Sequence, residues 1–338
     1  MLLLLLHHIA GDGWSMAPLA RDVAAFYRAR RDGSAPELPA LPVQYADYTL
    51  WHHAVLGEES DPESVIARQL AYWTERLEGL PEQLDLPLDR ARPAVWSYRG
   101  ASLPLMLGPA LHGKLLALAR DSGASLFMVL QAALATLLTR LGAGGDIPIG
   151  SPIAGRIDIA LNDLVGFFVN TLVLRTDTSG NPSVRKLIGR VRTDNLSAYS
   201  HQDLPFERLV EVLNPARSLS RHPLFQVVLA LQNNAPVDLE GLPGGLIAVV
   251  EPVDTASAKV DLSIELTEQR GADGTPAGIV GSMEYATDLF DRSTVSVLAE
   301  RLVRLLETAV AAPDRAIGRV DILTPAERQT LLREWNDT

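Results

Sequence analysis

Four residues near the start of the chain could together do chemistry: His7, His8, Asp12 and Gly13. An unperturbed imidazole titrates close to physiological pH, so a histidine can act as a general base toward an amine or a hydroxyl nucleophile. Asp12 can orient a histidine or pair with a distant arginine, and Gly13 allows a backbone approach that a Cβ would block. This group is therefore a candidate site for general-base catalysis.

Two other interpretations of the histidine pair remain open from spacing alone. Adjacent histidines at the end of a strand are often exposed or hydrogen-bonded side chains without a chemical role. The His-His-x-x-x-Asp spacing also supplies nitrogen and oxygen donors for a metal ion, but neighbouring residues of a strand face opposite sides. We therefore expect no metal site here.

The elements that hold this group follow from the apolar pattern on either side of it. Residues 2–6 are all leucine and predict a fully buried strand that ends at the histidines. Such a strand needs neighbours on both sides, and we expect these in an upstream portion of a longer chain. On the other side, Ser15 is expected to cap a helix in which Leu19, Val23 and Tyr27 recur at helical spacing.

The remainder of the chain predicts helices and strands around one mixed sheet, which is an α+β fold. Residues 80–100, with scattered prolines, predict a long crossing segment and a subdomain boundary. Helices are expected at residues 45–55, 61–79, 109–121, 125–141, 182–199, 205–213, 291–311 and 324–335. Strands are expected at residues 146–153, 169–175, 224–231, 246–251, 259–267 and 277–286.

Composition limits the classes of function. The chain has 338 residues, 47% of them hydrophobic, which is enough for a large core and two or three structural units. A formal net charge of −11 argues against a nucleic-acid partner or an anionic membrane surface, since both require a basic surface. No stretch is long and apolar enough to span a bilayer, no signal sequence is recognisable, and the lack of cysteine fits a cytoplasmic location.

Five sequence blocks, in order along the chain, resemble the motifs of condensation domains from nonribosomal peptide synthetases. Residues 7–13 resemble HHxxxDG, 45–51 resemble YxDYxxW, 165–171 resemble GxFVNT, 201–207 resemble HQDxPFE and 220–224 resemble SRxPL. Any one block alone would be weak, whereas five in order are specific. The first two motifs of the family have no counterpart here, so the resemblance covers an incomplete domain.

This resemblance implies a chloramphenicol-acetyltransferase-like fold, in which two lobes form a V around an active-site tunnel, with the first lobe incomplete here. It also implies an amide-forming reaction, in which the amine of an aminoacyl acceptor attacks the thioester of an acyl or peptidyl donor. Upstream donor and downstream acceptor carrier domains would present these substrates on phosphopantetheine arms. No cofactor would be bound covalently to this chain.

The resemblance also implies roles for the residues of the first block. His8 matches the catalytic second histidine, which would accept or position the amine proton or stabilise the tetrahedral intermediate, and the sequence does not choose between these roles. His7 matches the supporting first histidine. Gly13 would line the site, with its backbone N–H facing the reacting atoms.

Three further residues are implied at or near the site. Asp12 matches a residue that forms a structural ion pair, for which Arg156 is the expected partner and Arg140 the alternative. Asn170, in the GxFVNT block, is expected to position substrate, and a structural place at the end of a strand is the other interpretation. The YxDYxxW, HQDxPFE and SRxPL blocks are expected to be architectural.

The expected organisation has three parts. Residues 1–100 form the remainder of the first lobe, residues 101–322 form the second lobe, and residues 323–338 begin a linker toward an adjacent adenylation domain. The motif context favours an L-configured donor. The alternatives are an epimerization domain, a free-standing acyltransferase that uses coenzyme A, and a non-catalytic fragment that at most binds carrier domains.

Overall fold

The computed structural model describes residues 3–215, 218–232, 255–323 and 325–333. The helices in these ranges are α1 (Met16–Asp32), α2 (Tyr45–Leu56), α3 (Val65–Arg76), α4 (Pro109–Asp121), α5 (Leu126–Arg140), α6 (Val184–Tyr199), α7 (Phe206–Leu213), α8 (Arg292–Ala311) and α9 (Pro325–Leu332). The strands are β1 (Gly100–Leu107), β2 (Asp146–Ile153), β3 (Asn170–Asp177), β4 (Val227–Gln232), β5 (Leu262–Arg270) and β6 (Pro276–Ala286).

The described strands form one mixed sheet in the order β1-β6-β5-β4-β2-β3. β4 runs parallel to β2 and to β5, whereas the other neighbouring strands are antiparallel. Helices interspersed with the strands of a mixed sheet confirm the expected α+β fold. The division into two lobes between residues 100 and 101 stays a prediction.

The core lies between the sheet and helices α4, α5, α6 and α8. Side chains of β1 alternate as a one-sided core requires, with Leu103 and Leu105 buried and Pro104 and Met106 exposed. Helix α5 is buried on almost every side, and its sequence is accordingly apolar all round. The sheet and the helices packed on it are called the lobe below. The lobe carries the loops that reach the histidine turn, residues 7–13.

The segment between α3 and β1 crosses the lobe and is fixed to it by polar contacts. Leu84 donates its backbone N–H to the side-chain oxygen of Gln226 at 3.0 Å. Arg92 donates to the carboxylate of Asp261 at 2.8 Å, and this carboxylate is fully buried directly before β5. The crossing segment expected at residues 80–100 is therefore present.

The strand predicted at residues 2–6 is wrong for the described residues 3–6. These residues have no regular secondary structure and are exposed, with 93% of Leu5 accessible. A strand exists only when a neighbouring segment pairs with its backbone, and within the described ranges no segment pairs with residues 3–6. Residue 2 lies outside the described residues, as does the strand predicted at residues 246–251.

Other elements also differ from expectation: β4 and β5 begin three residues later, and α3 ends at Arg76 rather than at residue 79. Two differences have a physical reason in the structure. The sequence pattern does not predict β1, whose Pro104 argues against a strand; proline is tolerated there because β1 lies at the edge of the sheet. Helix α3 begins after Ser64 rather than at Asp61, because the Ser64 hydroxyl accepts the N–H of Ala67 at 3.1 Å and so caps the first turn.

Within the part of the chain that the structure describes, no single helix combines the length and the apolar character needed to cross a membrane. Helices α4 and α5 meet these criteria only when taken as a pair, and they meet at an angle of 100°.

Candidate active site

His7 and His8 lie at the start of a 3₁₀ turn, His8–Ala10, and the prediction that a strand ends on them is wrong. The Nδ1 atom of His7 accepts the backbone N–H of Ile9 at 3.2 Å, so this ring caps the turn. Both imidazoles are exposed, which leaves them accessible to a substrate. Among the described residues, no cluster of three or more histidine, aspartate or glutamate side chains is arranged to hold a metal ion.

Asp12 is buried and uses both carboxylate oxygens to hold the turn. Its Oδ1 accepts the backbone N–H of Ser15 at 2.9 Å, and its Oδ2 accepts the N–H of Phe168 at 3.1 Å. The Ser15 hydroxyl also donates to Oδ1, at 2.8 Å. Asp12 therefore joins the start of α1 to the segment that leads into β3.

Arg156 is the arginine that the structure places beside Asp12. Its Nη2 lies 3.2 Å from Asp12 Oδ1 and donates to the Ser15 hydroxyl at 3.0 Å. The two charged side chains are only 1% and 4% exposed, so the ion pair is buried. The guanidinium carbon also lies 4.0 Å from the centre of the Phe168 ring. Arg140, the alternative partner, instead donates to a backbone carbonyl elsewhere in the lobe.

The ionisation of Asp12 reflects these surroundings. Burial is the largest single influence and by itself would raise the pKa of Asp12. Hydrogen bonds from Ser15 and Phe168, together with the charge of Arg156, outweigh burial and hold the pKa below its ordinary value of 3.8. Asp12 is therefore a carboxylate at neutral pH and serves as a hydrogen-bond acceptor rather than as a proton donor.

The segment before β3 is joined to the histidine turn by hydrogen bonds at Gly166. The Ser15 hydroxyl accepts the N–H of Gly166 at 3.1 Å, and Asp12 donates its backbone N–H to the Gly166 carbonyl at 3.1 Å. A Cβ at Gly166 would lie 2.3 Å from the Tyr45 ring, so this close approach requires glycine. The Tyr45 hydroxyl donates to the Phe167 carbonyl at 2.7 Å. These bonds thus bring the YxDYxxW and GxFVNT blocks to the histidine turn.

His8 has an aromatic neighbour from this segment. The His8 and Phe167 rings meet edge to face, with 5.3 Å between centroids and 87° between planes. Gly13 is exposed in the same turn, and its carbonyl accepts the N–H of Met16 at 3.4 Å. The predicted site residues that the structure brings together are His7, His8, Asp12, Gly13 and Arg156.

Asn170 lies at the start of β3 with its side-chain amide occupied by backbone groups. Its Nδ2 donates to the carbonyls of Gln202 at 2.9 Å and of Leu204 at 2.8 Å. Its Oδ1 accepts the N–H of Phe206 at 3.0 Å. These bonds fix the loop before α7 and use both amide donors, which favours the structural interpretation of Asn170 over substrate positioning.

The HQDxPFE block is held against α3 by polar and aromatic contacts. Gln69 donates to the Asp203 carboxylate at 2.8 Å, and the Trp73 indole N–H donates to the His201 carbonyl at 2.7 Å. The His201 ring stacks on Tyr72 with 3.8 Å between centroids. These contacts support the architectural role expected for this block.

In the SRxPL block, His222 is packed among aromatic rings. Its ring stacks on Phe225 with 4.0 Å between centroids and on Phe206 with 5.6 Å. Burial lowers the pKa of His222 from 6.5 to about 4, so this imidazole is neutral at physiological pH. His222 therefore belongs to the packing of the lobe.

Sequence reasoning missed two contributors to the histidine turn. Ser15 is expected from the sequence only as a helix cap, yet its hydroxyl makes no capping bond and links Asp12, Arg156 and Gly166 instead. Phe167 stands at the position that the GxFVNT pattern leaves unspecified. The one available signal was the proximity of Ser15 to the HHxxxDG block.

Comparison with known sequences agrees with the motifs. A family model for the condensation domain matches residues 1–332. A dimodular nonribosomal peptide synthase from Bacillus subtilis (strain 168) is 57% identical over 335 residues, which make up 99% of this chain and 14% of that protein. The chain therefore spans a small part of this relative's length.

Two solved structures have a similar fold. The X-domain from teicoplanin biosynthesis, in complex with OxyB, superposes with a TM-score of 0.85 and 40% identity over 94% of this chain and 69% of that chain. A four-domain nonribosomal peptide synthetase bound to AMP and glycine superposes with a TM-score of 0.78 and 26% identity. This second match covers 95% of this chain and 24% of the synthetase.

Proposed function

The chain belongs to the condensation domain family, and on that premise we propose that it joins two carrier-bound substrates through an amide bond. The similar structures confirm the chloramphenicol-acetyltransferase-like fold expected from the motifs. In the proposed reaction, the amine nitrogen of an aminoacyl acceptor attacks the thioester carbonyl of an acyl or peptidyl donor. A C–N bond forms, the C–S bond breaks, and the donor thiol leaves with the proton that the amine gives up.

The observation that carries this proposal is the combination of exposed imidazoles with a buried support. His7 and His8 are accessible, whereas Asp12, Ser15 and Arg156 beneath them are almost completely buried. A substrate on a carrier arm can reach only accessible groups, and a group that receives its proton must be held in a defined place. The turn meets both requirements.

We propose a different role for each of the site residues. We assign the chemistry to His8, which would accept or position the proton of the attacking amine or stabilise the tetrahedral intermediate. His7 supports the turn, because its Nδ1 caps the backbone. Gly13, exposed beside them, would face the reacting atoms with its backbone. Asp12 and Arg156 hold the turn in place.

Condensation domains of multidomain synthetases work with carrier and adenylation domains. We propose that an upstream donor carrier and a downstream acceptor carrier present the two substrates on phosphopantetheine arms, with an adenylation domain adjacent. The phosphopantetheine would be attached covalently to the carriers, and this chain would bind it only transiently. An L-configured donor is proposed on the motif context alone.

A chimera tests this proposal in the presence of both carriers. In it, this chain replaces the 335 matched residues of the Bacillus subtilis synthase, and both carriers are loaded with their aminoacyl groups. We expect a dipeptidyl product on the acceptor carrier, detected by intact-protein mass spectrometry after a single turnover. Loaded carriers without product, under conditions in which the unmodified synthase forms product, would contradict the proposal.

A second candidate function is binding without catalysis. It is favoured by the similarity to the X-domain, which is found in complex with another protein, OxyB. In this case the chimera would bind its loaded carriers while the mass of the acceptor carrier stayed constant, even with excess loaded donor. Formation of the dipeptidyl product would exclude this candidate.

A further inference from the structure

The side chain of Phe167 lies against His8, although the family pattern specifies no residue at its position. The two rings meet edge to face at 5.3 Å and 87°, a favourable arrangement for an aromatic pair. Phe167 is half-buried, whereas His8 is exposed. The phenylalanine therefore covers one side of the imidazole and leaves the remainder accessible.

The backbone around Phe167 is anchored on both sides, which gives its ring a fixed point of attachment. The Gly166 carbonyl accepts the backbone N–H of Asp12 at 3.1 Å, and Phe168 donates its N–H to Asp12 Oδ2 at 3.1 Å. The carbonyl of Phe167 itself accepts the Tyr45 hydroxyl at 2.7 Å. With three consecutive residues held, the backbone that places the Phe167 ring beside His8 is fixed.

We propose that Phe167 is a positioning residue for His8: its ring holds the imidazole in the orientation from which His8 acts on the acceptor amine. This role rests on the proposed function. It matters because a displacement of a catalytic group by about 1 Å can cost about 100-fold in rate. The buried network of Asp12, Ser15 and Arg156 fixes the backbone of the turn, and Phe167 adds the contact that fixes the imidazole ring.

Three variants isolate this contact. Phe167→Leu keeps an apolar side chain and removes the ring, whereas Phe167→Tyr keeps the ring. Tyr72→Leu is the matched control, because it removes the aromatic neighbour of another histidine, His201. The Tyr72 and His201 rings stack with 3.8 Å between centroids where α3 contacts the HQDxPFE block. Thermal melts establish that each variant is folded.

The first measurement is the rate at which diethyl pyrocarbonate modifies each histidine, resolved by tandem mass spectrometry. Phe167→Leu is expected to accelerate modification of His8 by about two- to tenfold. This factor corresponds to the free energy of one aromatic pair, which the substitution removes. Tyr72→Leu is expected to change the rate at His201 and to leave His8 at the parental rate. Unchanged reactivity of His8 in Phe167→Leu would overturn the proposal.

The second measurement is the single-turnover condensation rate of the chimera. Phe167→Leu is expected to lower the single-turnover rate by about two- to tenfold while both carriers load normally, and Phe167→Tyr to restore the parental rate. A parental rate in Phe167→Leu, or equal losses in the leucine and tyrosine variants, would overturn the positioning role. If the unaltered chimera forms no product, the proposed function fails, and the modification rates still decide whether Phe167 holds His8.

Discussion

Residues 3–56 and the lobe formed by the sheet and its helices are stabilised in different ways. In the lobe, buried aliphatic side chains fill the space between the sheet and its helices. In residues 3–56 the buried apolar side chains are Pro18, two alanines and Leu56, whereas larger ones such as Leu5 and Leu50 are exposed. Apolar packing therefore holds the lobe, whereas in residues 3–56 it is confined to a smaller cluster in which Val43 and Tyr48 pack against Phe168.

Polar contacts hold the histidine turn instead. Asp12, Ser15 and Arg156 form a buried network that ties the turn to the segment before β3. Apolar cores tolerate exchanges that conserve volume, whereas a buried polar network depends on every partner. The comparison teaches that the position of the histidines depends on a few hydrogen bonds, so single substitutions there should have large effects.

The largest effect on stability is expected at Asp12. Asp12→Ala leaves the Arg156 charge buried without its partner, so the free energy of unfolding should fall by about 3–5 kcal/mol. His8→Ala, at an exposed position, removes one aromatic pair and should lower it by only about 0.5–1.5 kcal/mol. Urea unfolding of both variants measures the difference. Parental stability of Asp12→Ala combined with a loss of condensation rate would instead give Asp12 a direct chemical role.

The next effect is a pH dependence of the lobe that arises from His222. The pKa of His222 is about 4 in the folded chain, whereas its ordinary value is 6.5. Between pH 4 and 6.5, His222 therefore binds a proton in the unfolded chain and not in the folded chain. Stability should therefore be lost as the pH falls from 6.5 to 4, by up to about 3 kcal/mol. His222→Phe is expected to remove this part of the pH dependence in melts recorded between pH 4 and 7. An unchanged slope would show that His222 is not its source.

The smallest effect on stability is expected in the exposed apolar segment. Replacing both Leu5 and Ile9 by serine should change the free energy of unfolding by less than about 0.5 kcal/mol, because both side chains are already exposed. Exposed apolar surface promotes association, so the chain expressed by itself should self-associate and the double variant should do so less. Size-exclusion chromatography at several concentrations measures this. A monodisperse parental chain, or equal self-association of the parental chain and the double variant, would refute this expectation.

The lobe could largely be predicted because its elements are long and periodic. The helix at residues 109–121 and the strand at 146–153 agree with the structure residue for residue. The exceptions depend on partners that a local pattern does not specify. Pro104 is compatible with β1 only because this strand lies at the sheet edge, and residues 3–6 of the leucine run have no pairing segment within the described ranges.

The site could be predicted where it is local in sequence and not where it depends on tertiary contacts. The spacing of His7, His8 and Asp12 was enough to locate the turn. The bond between Ser15 and Gly166 joins residues 151 positions apart, and the contact between His8 and Phe167 likewise exists only after the lobe has folded. Motif patterns record residue types, and neither contact can be derived from them.

The central claim is that His8 supplies the chemistry of condensation, and the single-turnover rate of the chimera with His8→Ala tests it most directly. His53→Ala is the matched control, since His53 is an exposed histidine in the same part of the chain. We expect His8→Ala to lower the rate by about 10²- to 10⁴-fold while both carriers load normally, and His53→Ala to retain the parental rate. Condensation at the parental rate in His8→Ala would contradict the claim.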